Sequence, residues 1–185
     1  MKLQFNFIKA FLKNPKRIGA FTPSSHFLAN KLIEPINFNS AKCIVELGAG
    51  TGCVTKKILR KMSKNCTLLC FEIDPLFIEQ LKQNFNDPRL KIIQDSAENL
   101  DRYLREFNFE KVDFIVSGLP LVILPKTATN KILSRIRCNL KQGGKYTQLQ
   151  YSLIGIKKIE RMFPCLITHF VLLNFPPAFV YVCTK

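Results

Sequence analysis

The residues whose types and spacing can do chemistry begin with Val45-Glu46-Leu47-Gly48-Ala49-Gly50-Thr51-Gly52, where an acid is followed by glycines at alternate positions. The run follows an apolar stretch and opens a helix-forming one. Glycine lets a backbone turn sharply and approach a ligand that a Cβ would exclude, but a tight turn or a helix cap recruits glycine too. The surroundings decide between these readings. Glu72 lies twenty residues past Gly52, at the end of Leu68-Leu69-Cys70-Phe71-Glu72, where a carboxylate can accept both hydroxyls of a ribose. Asp95-Ser96 closes a third apolar run. Three acids at the carboxyl ends of three successive strands are poorly explained by packing. A nicotinamide fingerprint, G-x-G-x-x-G, fits less well, because the third glycine comes one residue early and Cys53 stands in its place.

The elements that must position these groups alternate between β-type runs and helical stretches, which is the signature of an α/β fold with a parallel sheet. Strands are expected at Lys42–Leu47, Thr67–Ile73, Leu90–Gln94, Val112–Ser117 and Lys145–Tyr151, with helices at Val54–Met62, Leu76–Phe85, Ala97–Phe107 and Ala128–Leu140 between them. His169–Asn174 and Ala178–Cys183 flank Phe175-Pro176-Pro177 too closely for a crossover helix, so they must pair antiparallel. Ahead of the sheet, Pro23-Ser24-Ser25 reads as a helix start with a serine N-cap, and the helix runs to about Ile33 before Pro35. Residues 2–13 place Phe7, Ile8, Phe11 and Leu12 on one side of a helix, with Phe5 near its edge. That stripe fits either an interfacial helix on a membrane or a helix docked on the core.

The E-x-G-x-G-x-G spacing, Glu72, Asp95 and the closing hairpin resemble the class I S-adenosylmethionine-dependent methyltransferases over most of residues 41–185. The resemblance implies a Rossmann-like fold with a mostly parallel seven-stranded sheet, order 3-2-1-4-5-7-6, its last strand antiparallel, flanked by helices. It also implies S-adenosylmethionine as cofactor, with Gly48 to Gly52 beneath its methionine part, Glu72 on the ribose and Asp95 near the adenine amine. Ligands of open α/β sheets bind at the topological switch point, which puts the acceptor after strand four, at Ser117-Gly118-Leu119-Pro120-Leu121. Enzymes that methylate an adenine amine carry N-L-P-Y or D-P-P-Y there, an acceptor side chain plus a ring that stacks on the extruded base. Gly118 and Leu121 hold those positions here, which weakens an rRNA adenine dimethyltransferase reading, and no further C-terminal RNA-binding domain is expected.

Further segments closely resemble the bacterial phospholipid N-methyltransferases: Asn14-Pro15, Ile18-Gly19-Ala20-Phe21-Thr22-Pro23-Ser24-Ser25, Leu28-Ala29, the Ser117 to Leu121 loop, Gly143-Gly144, Gln150-Tyr151 and Asn174-Phe175-Pro176-Pro177-Ala178. That resemblance implies stepwise methylation of phosphatidylethanolamine to phosphatidylcholine by a small basic monomer, peripheral at the inner face of the cytoplasmic membrane. The cofactor set is then Glu46, Gly48, Ala49, Gly50, Gly52, Glu72, Ile73, Asp95, Ser96 and Ser117, with Gly118, Leu119 and Pro120 as the substrate loop. Nitrogen displacing a sulfonium methyl needs alignment and an unprotonated amine more than a strong acid or base. Ser117, the carbonyls of the Gly118 to Pro120 loop and Tyr151 are the candidate proton acceptors. Tyr151 equally suits a rim aromatic holding a methylated ammonium by cation-π attraction, or a packing residue.

Composition agrees with this class. The chain has 185 residues, 47% hydrophobic and 22% charged, within the range of one globular domain, which excludes disordered, collagenous and disulfide-miniprotein classes. Its net charge of +15 predicts an anionic partner, an anionic and zwitterionic phospholipid surface or nucleic acid, and the lipid reading requires no nucleic acid. Residues 1–33 hold six bases and no acid, and from Lys126 to Arg161 nine bases face Glu160 alone. Lys2, Lys9 and Lys13 would accompany Phe7, Ile8, Phe11 and Leu12 in membrane binding. Residues 1–34 form the membrane-facing and cofactor-covering part in this reading, and 35–185 the methyltransferase domain. Seven cysteines without a C-x-x-C pair and two histidines predict buried thiols and no metal site. No run approaches the roughly 20 apolar residues of a membrane span. A binding module of this fold without activity is the remaining class.

Overall fold

The computed structural model describes residues 25–185. Helix α1 (His26–Ile33) leads into β1 (Cys43–Leu47), α2 (Cys53–Lys61), β2 (Thr67–Glu72), α3 (Pro75–Asn84) and β3 (Leu90–Gln94). After a short 3-10 turn, Ala97–Asn99, come α4 (Leu100–Glu106), β4 (Val112–Ser117), α5 (Lys126–Asn139), β5 (Leu140–Gln150), α6 (Ile156–Met162), β6 (Cys165–Val171) and β7 (Ala178–Thr184). The seven strands form one sheet in the order β3-β2-β1-β4-β5-β7-β6, as the class I methyltransferase resemblance implies. β7 runs antiparallel to both β5 and β6, and every other pairing is parallel.

All five β1 residues are buried, because helices cover both faces of a parallel sheet. On one face Ile44, Leu68, Phe114, Val116 and Val180 pack against α1 and α2. On the other, Val45, Leu69, Ile115, Tyr146 and Tyr181 pack against α4, α5 and α6. Helix α1 is part of this core: Leu28, Ala29, Leu32 and Ile33 are at most 1% exposed. Its N-cap is Ser25, whose hydroxyl accepts the Leu28 N–H, and the Thr147 hydroxyl of β5 donates to the Leu32 carbonyl at 2.9 Å.

The structure departs from the sequence reading in five respects. β5 begins at Leu140 rather than Lys145, because the Gly143-Gly144 pair is a bulge inside the strand. There a Cβ on Gly144 would come within 2.9 Å of the Lys141 carbonyl. β6 covers Cys165–Val171, four residues earlier than expected at its start, since an edge strand exposed along much of its length carries no clean alternation. The single stretch expected at Ala97–Phe107 divides into the 3-10 turn and α4, and the seven-residue α6 was not anticipated. Cys138 and Cys165 are exposed and Cys53 half-buried, so the expectation of buried thiols holds for Cys43, Cys66, Cys70 and Cys183. The stripe of residues 2–13, with Lys2, Phe7, Ile8, Lys9, Phe11, Leu12 and Lys13, lies outside the described residues.

Candidate functional site

Parallel pairing of β1 with β2 sets Leu47 opposite Phe71, so Glu72 ends β2 level with the turn that leaves β1. The Glu72 carboxylate reaches across: one oxygen accepts the Gly50 N–H at 2.8 Å, and the other accepts those of Ile73 and Asp74 at 2.7 and 3.0 Å. The Gly48 and Ala49 N–H groups donate to the Phe71 carbonyl at 2.8 and 3.2 Å. Glu72 therefore fixes the glycine turn, and with three bonds accepted a carboxylate keeps capacity for a ligand hydroxyl.

The three glycines of the turn all have positive φ, yet their surroundings differ. A Cβ at Gly48 would lie 2.9 Å from the Leu119 side chain, and one at Gly52 would lie 2.5 Å from the Phe85 ring. These two are required by packing within the chain. At Gly50, among the described residues, nothing lies within 4 Å of the Cβ position. A strained turn whose central residue opens onto space suits a ligand lying against its backbone, as the cofactor requires.

Glu46 points from β1 toward α2, where it is 2% exposed and accepts the Thr55 hydroxyl at 2.6 Å. Burial pushes its carboxyl up to about 7, against the opposing effect of the Thr55 bonds. A proton there is exchangeable near neutral pH. Asp95, after β3, accepts from Ser96 N–H at 2.7 Å, Asn99 Nδ2 at 2.9 Å and the Tyr103 hydroxyl at 3.0 Å. Burial, then the Asp95 bond, raises the Tyr103 phenol above its usual range. The Tyr103 ring stands edge-on to Phe71, 5.4 Å between centroids, which braces the end of β3 against β2.

On the other side of β1, the start of the loop after β4 is held by hydrogen bonds at Gly118, Leu119 and Leu121. Gly118 N–H donates to the Leu47 carbonyl at 2.9 Å, and the buried Ser117 hydroxyl accepts Leu119 N–H at 3.2 Å. Gln148, opposite Ser117 on β5, donates to the Leu119 carbonyl at 2.8 Å, and the Thr129 hydroxyl donates to that of Leu121 at 3.0 Å. A Cβ on Gly118 would sit 3.0 Å from the Gly48 carbonyl, so the two glycine-containing turns touch. Tyr151 follows β5. Burial raises its phenol above the usual range, opposed by a hydrogen bond with Asn174. Asn174 also accepts the Ser25 N–H at 3.0 Å and donates to the Pro176 carbonyl at 2.7 Å.

The fold thus gathers Glu46, Gly48, Ala49, Gly50, Gly52, Glu72 and Ile73 at the β1–β2 end, Asp95 and Ser96 beside them, and Ser117 to Pro120 across the switch point. The Ser117 hydroxyl is engaged by Leu119 N–H and the Tyr151 phenol by Asn174. Thr55, Tyr103, Gln148 and the clamp of Asn174 on Ser25 and Tyr151 were missed by the sequence reading. Their partners lie 8 to 149 residues away, and no local spacing announces them.

Comparison with known proteins gives the same class. Residues 44–144 match the family described as a methyltransferase domain. An ornithine lipid N-methyltransferase of Singulisphaera acidiphila is 31% identical over 185 residues, covering 99% of this chain and 96% of the relative. A ribosomal RNA small subunit methyltransferase A of Mesomycoplasma hyopneumoniae is 33% identical over 130 residues, but these cover 70% of this chain and 45% of that protein. A TehB-like S-adenosylmethionine-dependent methyltransferase of Corynebacterium glutamicum shares the fold, with a TM-score of 0.62, 18% identity and coverage of 100% of this chain and 98% of the other.

Proposed function

Because this chain belongs to the class I S-adenosylmethionine-dependent methyltransferases, among those that N-methylate lipids, we propose that it methylates phosphatidylethanolamine headgroups stepwise toward phosphatidylcholine. The carrying observation is the acceptor loop: Gly118 and Leu121 offer neither a side-chain acceptor nor a ring to an adenine, while the loop backbone is rigidly held. S-adenosylmethionine, when bound, supplies an electrophilic methyl group on a sulfonium. In this reading the Gly48 to Gly52 turn, Glu72, Ile73, Asp95 and Ser96 hold it, with Gly50 leaving room for it.

A headgroup amine resembling a lysine has a pKa of about 10, so it must lose a proton before it can attack. Ser117 is buried with its oxygen on Leu119 N–H, which makes it a positioning residue for the loop. Among the described residues the Leu119 carbonyl accepts from Gln148 and that of Pro120 from Ile123, which leaves the Gly118 carbonyl to orient the amine. Tyr151 then lines the rim.

A second headgroup is favoured by one specific observation, the near full-length likeness to an ornithine lipid N-methyltransferase. The test supplies radiolabelled S-adenosylmethionine with vesicles of phosphatidylethanolamine, vesicles of an ornithine lipid, or unmodified ribosomal RNA. Mono-, di- or trimethylated phosphatidylethanolamine by mass spectrometry is the expected result. Label in the ornithine lipid alone corrects the headgroup, label in RNA alone replaces the reading by the adenine alternative, and cofactor binding without product leaves a binding module. In the same reading, residues 2–13 contact anionic lipid at the inner face of the cytoplasmic membrane as a monomer. Among the described residues no helix is long and apolar enough to cross a membrane.

A further inference from the structure

Exposed large apolar side chains are ordinary when scattered singly and informative when gathered. Ten are exposed among the described residues, and six of them sit on three loops at one end of the sheet. Val122 is on the loop after β4, Leu153 and Ile154 are on the loop after β5, and Leu172, Leu173 and Phe175 are on the loop joining β6 to β7; they are 41% to 84% exposed. β4, β5, β7 and β6 are consecutive in the sheet, and all three loops leave its carboxyl end. Three strand spacings separate the outer two loops, roughly 14 Å. The acceptor loop is one of the three.

Charge is arranged to match. From Gly118 to Lys185 ten bases accompany a single acid, Glu160. Lys126 opens α5 directly after the first loop, and Lys157 and Lys158 lie in the first turn of α6 after the second. None of the three enters an ion pair among the described residues. The other half of the same sheet end carries Glu72, Asp74, Asp95 and Glu98 after β2 and β3. One half of the sheet end is thus apolar with basic flanks, and the other is acidic.

We propose that the β4–β6 half of this end is a lipid-docking surface. Leu153, Ile154, Leu172, Leu173 and Phe175 enter the headgroup and acyl boundary of an anionic bilayer, with Lys126, Lys157 and Lys158 on its lipid phosphates. The proposal rests on the lipid-headgroup reading and adds how the enzyme sits. The acceptor loop faces the membrane directly, the acidic cofactor half tilts toward water, and this contact is made by the folded domain itself. An apolar rim alone would fit a second protein equally well; bases without acid partners at its edge favour an anionic lipid surface.

The chain contains no tryptophan, so single reporters are unambiguous. Ile154→Trp and Leu173→Trp should shift their emission to the blue with vesicles of equal phosphatidylglycerol and phosphatidylethanolamine, and brominated acyl chains should quench them. Lys64→Trp, exposed before β2 at the opposite end, should do neither. Replacing Leu153, Ile154, Leu172 and Leu173 together by Ser should lower vesicle binding more than tenfold. Calorimetric binding of S-adenosylhomocysteine should be unchanged, and so should turnover of monomeric dihexanoylphosphatidylethanolamine. Flotation of the whole chain with both rim reporters silent would overturn the docking surface, as would absence of flotation. A blue shift that grows with protein concentration without lipid would also overturn it, in favour of a contact between two copies. Failure of the headgroup reading is seen separately, as no methylation of the short-chain lipid by a chain whose rim reporters respond to vesicles.

Discussion

Gly50 and Gly52 share a left-handed backbone but answer to different neighbours, and substitution separates them. Gly50→Ala meets no atom among the described residues and should cost only the conformational strain, about 1–2 kcal/mol in a denaturant titration. Gly50→Val adds bulk where the proposed cofactor site lies, so calorimetry should show S-adenosylhomocysteine affinity down at least tenfold in a folded protein. Gly52→Ala drives a methyl group into Phe85 and Leu81 and should destabilise more than Gly50→Ala. Equal losses of stability in the two alanine variants would refute this division. Glu46 makes a second prediction through its proton. Its carboxyl is raised from 4.5 to about 7 by burial, so the folded protein keeps a proton that the unfolded chain has released. Stability from this group is undiminished below pH 4.5, falls as pH rises toward 7, and above that is lower by about 3 kcal/mol at roughly 1.4 kcal/mol per unit. Glu46→Gln removes the titration and keeps an oxygen for Thr55. It should melt higher than the parent at pH 8 and nearly with it at pH 4.5, and a pH-independent difference would exclude the proton as cause.

Among the elements, α1 is the one whose packing adds most to the sequence reading. It is a core helix with four side chains at most 1% exposed, tied to β5 through Thr147 and to the β6–β7 loop through Asn174. Leu32→Ala should therefore cost about 2–5 kcal/mol in urea unfolding, and a loss below 1 kcal/mol would mean that α1 only rests on the surface. Such docking is invisible in eight residues of helix, because what receives them is assembled from α2 together with β5, β6 and β7, the strands more than a hundred residues later. β1 to β4, by contrast, were legible to within a residue: strands buried on both faces are continuous apolar runs with polar or turn-forming ends. Sheet order came with the family resemblance rather than from periodicity. For the site, glycine spacing and strand-end acids pointed to the turn that Glu72 closes onto Gly50. Which atoms they hold was not legible, since Glu72 bonding Gly50 N–H and Gln148 bonding the Leu119 carbonyl depend on register between strands. Gly143-Gly144 misled for a related reason: glycine marks close backbone approach in a bulge as well as in a turn.

At the scale of the whole molecule, charge and apolar surface are each distributed by strand order, because the chain after β4 supplies the basic half and the chain from β1 to α4 supplies Glu72, Asp74, Asp95 and Glu98 of the acidic half. Outermost in the basic half lies β6, which among the described residues pairs with β7 alone. Ile167 and Phe170 are each 58% exposed on it, and the strand Cys165–Val171 contains neither lysine nor proline. Proteins ordinarily guard a sheet edge with such residues, since an open row of N–H and C=O groups templates another strand. This enzyme's colloidal behaviour should be governed there: at high concentration in solution, copies would extend one another's sheets, and light scattering would rise. Ile167→Lys, on a side chain that touches neither the glycine turn nor the acceptor loop, should raise the solubility limit and leave methyl transfer to a water-soluble headgroup lipid within twofold of the parent.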